Sequence, residues 1–134
     1  MRTRGIRGAT TATANTREAI CAATRELLRQ IVDANGVYVE EIASVIFTVT
    51  DPLDAAYPAV AAREMGWDPV PLLCAREISV PGGLGFCIRV LVHVNTELQQ
   101  SQIRHIYLHD AECLRPELAG VSRSEQRITQ GDRQ

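Results

Sequence analysis

Four arginines, Arg7, Arg63, Arg89 and Arg115, lie in four separate segments of the chain. Arg7 and Arg89 sit among small or apolar residues, whereas Arg63 and Arg115 have Glu64 and Glu117 close by. A guanidinium keeps its charge throughout the physiological range, and its planar fork fits a carboxylate with two parallel hydrogen bonds. If the four converge, the ligand they suit is a small polycarboxylate. Arg89 poses the sharpest question. It interrupts Cys87-Ile88-Arg89-Val90-Leu91-Val92-His93-Val94, a run apolar on both alternating faces, as in a strand covered on both sides. An unpaired charge buried there costs on the order of several kcal/mol. The strand holds no Asp or Glu, so the partner is either a distant carboxylate, as a structural ion pair across the sheet, or a bound anion.

Other reactive side chains make weaker cases. Cys74 is a conceivable nucleophile, but no base stands beside it, and an inert packed thiol is the simpler reading. His105 and His109 share strand parity with Tyr107, which would suit metal ligands, yet no third ligand is indicated. Glu77 taken alone is a surface carboxylate. Arg76, its neighbour, points to the opposite face if that stretch is extended and reads as a surface residue. The four cysteines, Cys21, Cys74, Cys87 and Cys113, are widely spaced without a C-x-x-C pair and read as free thiols, mostly in the core. All 14 basic residues are arginine, so Schiff-base chemistry and a P-loop lysine are excluded. A net charge of −2 gives no electrostatic case for nucleic acid or an acidic membrane surface. Residues 1–14 lack a signal-peptide apolar run, and no stretch is long and apolar enough for a membrane span. A cytoplasmic protein is expected.

These residues must be held by a compact framework. At 134 residues the chain fits one domain whose core would profit from oligomerisation. A first strand is expected over residues 2–12, with Gly5 and Gly8 allowing close approach. Asn15 or Thr16 caps a helix that runs to about residue 34 and stops at Gly36; Ile20, Ala23, Leu27, Leu28, Ile31 and Val32 form its apolar stripe. After a turn at residues 39–41, a second strand covers 44–50 and breaks at Asp51-Pro52. Pro58 opens a short helix over 59–65, ended by Gly66. A third strand covers 70–74, interrupted by Pro71, and residues 81–85 form a loop that either wraps a ligand or simply turns. The arginine-bearing strand covers 86–96, and a last strand lies within 102–114. The pattern predicts a single α/β (α+β) domain with a mixed five-stranded sheet and two main helices over residues 1–118. Residues 119–134 are polar and read as a flexible tail.

Several segments together carry a resemblance. Arg4-Gly-Ile-Arg-Gly-Ala-Thr-Thr11, Tyr57-Pro-Ala-Val-Ala-Ala-Arg-Glu64, Cys87-Ile-Arg-Val90 and Gln102-Ile-Arg-His-Ile-Tyr-Leu108, with Leu114-Arg-Pro116, are similar in order and spacing to the AroH class of chorismate mutases. The resemblance runs from about residue 4 to 118. It implies a homotrimer with a pseudo-α/β-barrel arrangement and active sites at subunit interfaces. It also implies the Claisen rearrangement of chorismate to prephenate, in aromatic amino-acid biosynthesis, without cofactor or metal. At matching positions, Arg7 would bind a substrate carboxylate and Arg89 would face the ether oxygen of the breaking bond. Glu77 would accept a hydrogen bond from the ring hydroxyl and oppose positive charge on the ring, and Tyr107 would bind a carboxylate. Leu73, Cys74, Ala75, Arg76 and Glu77 would line the pocket, with Tyr57, Arg63, Leu114 and Arg115 around its mouth. Val60 stands where the class commonly has lysine, and Tyr57 where phenylalanine is frequent.

That chemistry suits the residues present. A unimolecular rearrangement needs neither nucleophile nor general base, only a held conformer and fixed charges where charge develops. Two other readings compete. One is a noncatalytic trimeric module that binds an anionic metabolite at its subunit interfaces; a carboxylate such as Glu77 close to the anion argues against it. The other is a cysteine-dependent hydrolase built on Cys74.

Overall fold

A computed structural model describes residues 1–115. Five strands form one mixed sheet in the order β3-β2-β4-β1-β5. They are β1 (Arg2–Thr11), β2 (Ile42–Val49), β3 (Leu72–Arg76), β4 (Cys87–Thr96) and β5 (Ile106–Tyr107). β4 lies at the centre, antiparallel to both β1 and β2, while β3 and β5 run parallel to their neighbours at the two edges.

The helix expected from its caps is α1 (Arg17–Asn35). The Thr16 side chain accepts from the Ala19 N–H at 3.1 Å, and Gly36 closes the helix in the left-handed conformation at φ 63°. Leu27, Leu28 and Ile31 are buried against the sheet. Gly8 of β1 permits this contact: a Cβ there would come within 2.8 Å of the Ile31 side chain and 3.2 Å of Leu27. Register then places Ile6, Gly8, Val45, Phe47, Val90 and Val92 on one face beneath the helix. That face, with Trp67 and Val70, is the main core.

The structure corrects several sequence expectations. β4 is not covered on both sides: Ile88, Val90, Val92 and Val94 are buried, but Arg89 is exposed and Leu91 and His93 are only half-buried. With α1 on one face only, residues apolar by type remain open on the other. The second helix is one short turn, α2 (Ala59–Ala62), followed by a wide π-type turn over Arg63–Trp67 in which Gly66 takes φ 90°. Among the described residues, one helix, α1, is therefore substantial. β3 begins after Pro71, which lacks an N–H but whose carbonyl accepts from Val45 at 3.0 Å. The last strand is reduced to two residues between helical turns at Gln100–Gln102 and His109–Leu114. Side chains take the pairing places there. Asn35 donates to the Arg104 carbonyl and accepts from its N–H at 2.9 and 2.8 Å, and His105 Nδ1 accepts from the Arg7 N–H at 2.9 Å. His109 then turns the chain away with φ 54°. The domain boundary at 118 and the tail at 119–134 lie outside the described residues.

Candidate active site

The open face of the sheet carries a row of side chains that crosses all five strands. Ala75 of β3 pairs with Thr48 of β2, Thr48 with Arg89 of β4, Arg89 with Ala9 of β1, and Ala9 with Tyr107 of β5. Small neighbours flank Arg89 on both sides and leave its guanidinium room to lie over the sheet. Arg7 is one row along, opposite Leu91, and so a diagonal neighbour of Arg89 on the same face. Glu77 extends the alternation of Leu73 and Ala75 just past the end of β3, where its N–H donates to the Val49 carbonyl at 3.0 Å.

This placement answers the question Arg89 posed. Its partner is the distant carboxylate: Nε donates to Glu77 Oε2 at 2.9 Å and Nη2 to Oε1 at 3.0 Å, a bidentate fork. The pair is not a buried one. The Arg89 side chain is 49% exposed and that of Glu77 18%, so the carboxylate is the sheltered member. Burial pushes the Glu77 carboxyl up. Hydrogen bonds from Arg89 and Thr48, with the charge of Arg89, outweigh it and hold the group below its ordinary range. The same bond raises the Arg89 guanidinium further, against its own partial burial. Both members are charged at neutral pH.

A cleft of about 400 Å³ opens beside the pair. Glu77, Arg89, Thr50, Cys87, Leu84 and Leu114 line it together with the loop after β3. The glycine-rich segment at 81–85 borders the cleft. Cys87 lies buried beneath, and burial raises its thiol to about 11, so it stays protonated.

Not every expected residue joins this cluster. Cys74 points to the opposite face, half-buried near Ala59 and Arg63. Burial pushes its thiol up despite the Ala59 backbone hydrogen bond and the Arg63 charge, so no activated nucleophile is present. Arg76 also faces away, bound to Asp51 Oδ1 at 2.8 Å and the Leu53 carbonyl at 2.7 Å; it holds the loop after β2 rather than entering the cleft. Arg63 and Tyr57 belong to the α2 region, Tyr57 being 69% exposed. The four arginines thus do not converge within one chain: Arg7 and Arg89 share the open face, whereas Arg63 lies near Cys74. Arg115 follows the final turn, next to Leu114. The two histidines have other partners, His105 the Arg7 backbone and His109 Nε2 the Glu26 carboxylate at 2.9 Å. Among the described residues, no group of three or more His, Cys, Asp or Glu could hold a metal ion.

Sequence reasoning missed Thr48. Its hydroxyl donates to Glu77 Oε2 at 2.6 Å. The available signal was its parity: a polar residue between Phe47 and Val49 must face away from the core.

Comparison with known proteins points the same way. The family model described as chorismate mutase type I matches residues 3–118. A Thermus thermophilus protein, chorismate mutase AroH, is 55% identical over 116 residues, covering 86% of this chain and 95% of that protein. The Bacillus subtilis (strain 168) protein of the same name is 43% identical over 126 residues, covering 93% and 99%. Among solved structures, a chorismate mutase from Clostridium thermocellum superposes with a TM-score of 0.80 at 50% identity, over 81% of this chain and 97% of that one. The match spans every strand of the sheet and the segments that carry Arg7, Glu77, Arg89 and Tyr107, and the chain belongs to the chorismate mutase type I family.

Proposed function

We propose that the Arg89–Glu77 pair on the open face is the electrostatic centre of a chorismate mutase, which isomerises chorismate to prephenate in aromatic amino-acid biosynthesis. The observation that carries this reading is the bidentate pair itself, set in a cleft with Arg7 and Tyr107 on the same sheet face. In the rearrangement an ether C–O bond breaks as a C–C bond forms, with negative charge growing on the oxygen and positive charge on the ring. Glu77 occupies Nε and one N–H of Nη2 of Arg89. The remaining N–H groups of the guanidinium are left to donate to the ether oxygen. Glu77 accepts the ring hydroxyl and opposes the positive charge. Arg7 and Tyr107 bind substrate carboxylate. Such fixed charges need no reorganisation during the reaction, and holding the folded substrate conformer supplies the rest.

The chain acts as a homotrimer with its sites at subunit interfaces. Arg63 and Cys74 lie on the side of the sheet away from the cleft and Tyr57 is exposed just before α2, so a second copy would bring them to its mouth. Leu73, 61% exposed on the open face beside Ile46 and Leu91, offers apolar surface for that contact. No helix of the described residues is long and apolar enough to cross a membrane. A cytoplasmic location fits the four free thiols. An absorbance assay that follows chorismate loss in purified protein without added metal tests the reading. Metal-independent turnover is expected; a folded trimer inert toward chorismate would favour the noncatalytic anion-binding module instead.

A further inference from the structure

We propose that Thr48 is a positioning residue that fixes which oxygen of Glu77 meets the substrate. The inference rests on the mutase reading of this site. An ionised carboxylate offers about four acceptor positions, roughly two on each oxygen. Oε2 receives the Thr48 hydroxyl at 2.6 Å and Arg89 Nε at 2.9 Å, so both of its positions are filled. Among the hydrogen bonds of the described residues, Oε1 receives one, from Arg89 Nη2 at 3.0 Å. One position therefore remains, on Oε1, and a substrate hydroxyl is directed to it.

Arg89 alone would not hold this arrangement. Its fork presents two donors to two oxygens, and the carboxylate could rock or rotate about that axis. Thr48 comes from a different strand, β2, and pins Oε2 from a second direction. Its own position is set by the sheet, because Thr48 is the register partner of Arg89 and of Ala75. As a β-branched residue in a strand it has little rotamer freedom to lose.

The hydroxyl also helps keep Glu77 ionised despite its partial burial. The other charged or titratable groups near the carboxylate are Arg89 and Cys87 on β4 and Asp51 after β2, with Tyr107 of β5 acting on Arg89. The Cys87 thiol is neutral across the relevant range, and the Asp51 carboxylate is bound by Arg76 and Ser79. None of these replaces a neutral donor at Oε2.

The test is a carbon-13 NMR titration of the Glu77 carboxyl, assigned by its loss in Glu77→Gln, beside steady-state kinetics. Thr48→Val keeps the shape of the side chain but removes the donor. It should move the Glu77 midpoint upward and lower kcat roughly ten-fold, the rate equivalent of one hydrogen bond to a charged group. Thr48→Ser should restore both. Thr48→Ala provides a second donor-free variant should the valine protein fold poorly. An unchanged midpoint and kcat in a folded donor-free variant, or a serine variant that restores neither, would overturn the proposal. Full turnover by Glu77→Gln would instead overturn the site reading beneath it. The two failures are distinct, because in the second case Thr48→Val still moves the midpoint.

Discussion

The two faces of the sheet are built from alternate residues of the same strands and do opposite work. Beneath α1, Ile6, Val45, Phe47, Val90 and Val92 are buried and apolar. One residue away along each strand, Arg7, Ile46, Thr48, Arg89 and Leu91 face outward and leave polar and apolar surface uncovered. Because side chains alternate with a period of two, a slip of one residue would put Arg89 in the core and Val90 in the cleft. The closed face therefore sets the register, and the register sets where the charges meet. Stability and chemistry are separable here, yet one depends on the other for its geometry.

Phe47→Ala attacks the closed face and should have the largest effect on stability. Phe47 is fully buried in the main core, and its truncation should cost ~3–5 kcal/mol in denaturant unfolding. A much smaller loss would mean that the core does not hold the sheet.

Leu73→Asp attacks the open face instead. The exposed side chain contributes little to the fold of one chain, so secondary structure should survive while sedimentation shows the proposed trimer giving way to smaller species. A charge in an apolar contact opposes association. An unaltered assembly state would remove this face from the proposed interface.

The pH dependence of turnover sharpens the contrast. The folded Glu77 carboxyl lies below its ordinary value of 4.5, so it stays ionised as pH falls through the range where an unfolded glutamate would protonate. The stabilising contribution of the pair is fully present above the unfolded value and is lost only as pH falls through the lower folded one. Turnover per folded enzyme should therefore hold level to below 4.5. An acid limb at or above that value would contradict the pairing.

Thiol labelling gives the smallest effect. Cys113 is exposed and should be modified first at neutral pH, as read by mass spectrometry after timed quenching. Cys74 should follow slowly, and Cys87, buried with its thiol at about 11, should resist until the chain unfolds. Blocking Cys113 alone should leave turnover largely intact.

Much of this architecture was legible in the sequence where local signals are strong. The caps of α1 announce themselves in Thr16 and Gly36, and the run 86–96 reads as a strand by composition alone. The open face was not legible. Arg89 among apolar residues looked like a buried charge, because composition cannot tell a helix-covered face from one left open. The reach of Glu77 to Arg89 depends on β3 and β4 lying either side of β2, an ordering that no local pattern encodes. The last strand was overestimated for the opposite reason: its alternation is real, but Asn35 and His105 take the pairing places from the side. Arg7 and Arg89 stood out by residue type and strand pattern, Glu77 and Tyr107 were expected only through the family resemblance, and Thr48, which belongs to none of the quoted motifs, was missed.

The most direct test of the account is the turnover of chorismate by Arg89→Lys. Lysine keeps the positive charge but loses the fork that engages Glu77 and still presents donors to the ether oxygen. Arg89 is half-exposed, so the variant should stay folded, with a melting temperature close to that of the parent. Its turnover should fall by roughly a hundred- to a thousand-fold, or ~2.7–4 kcal/mol, as on removal of one preorganised donor. Near-normal turnover in a correctly folded and assembled Arg89→Lys protein would contradict the account.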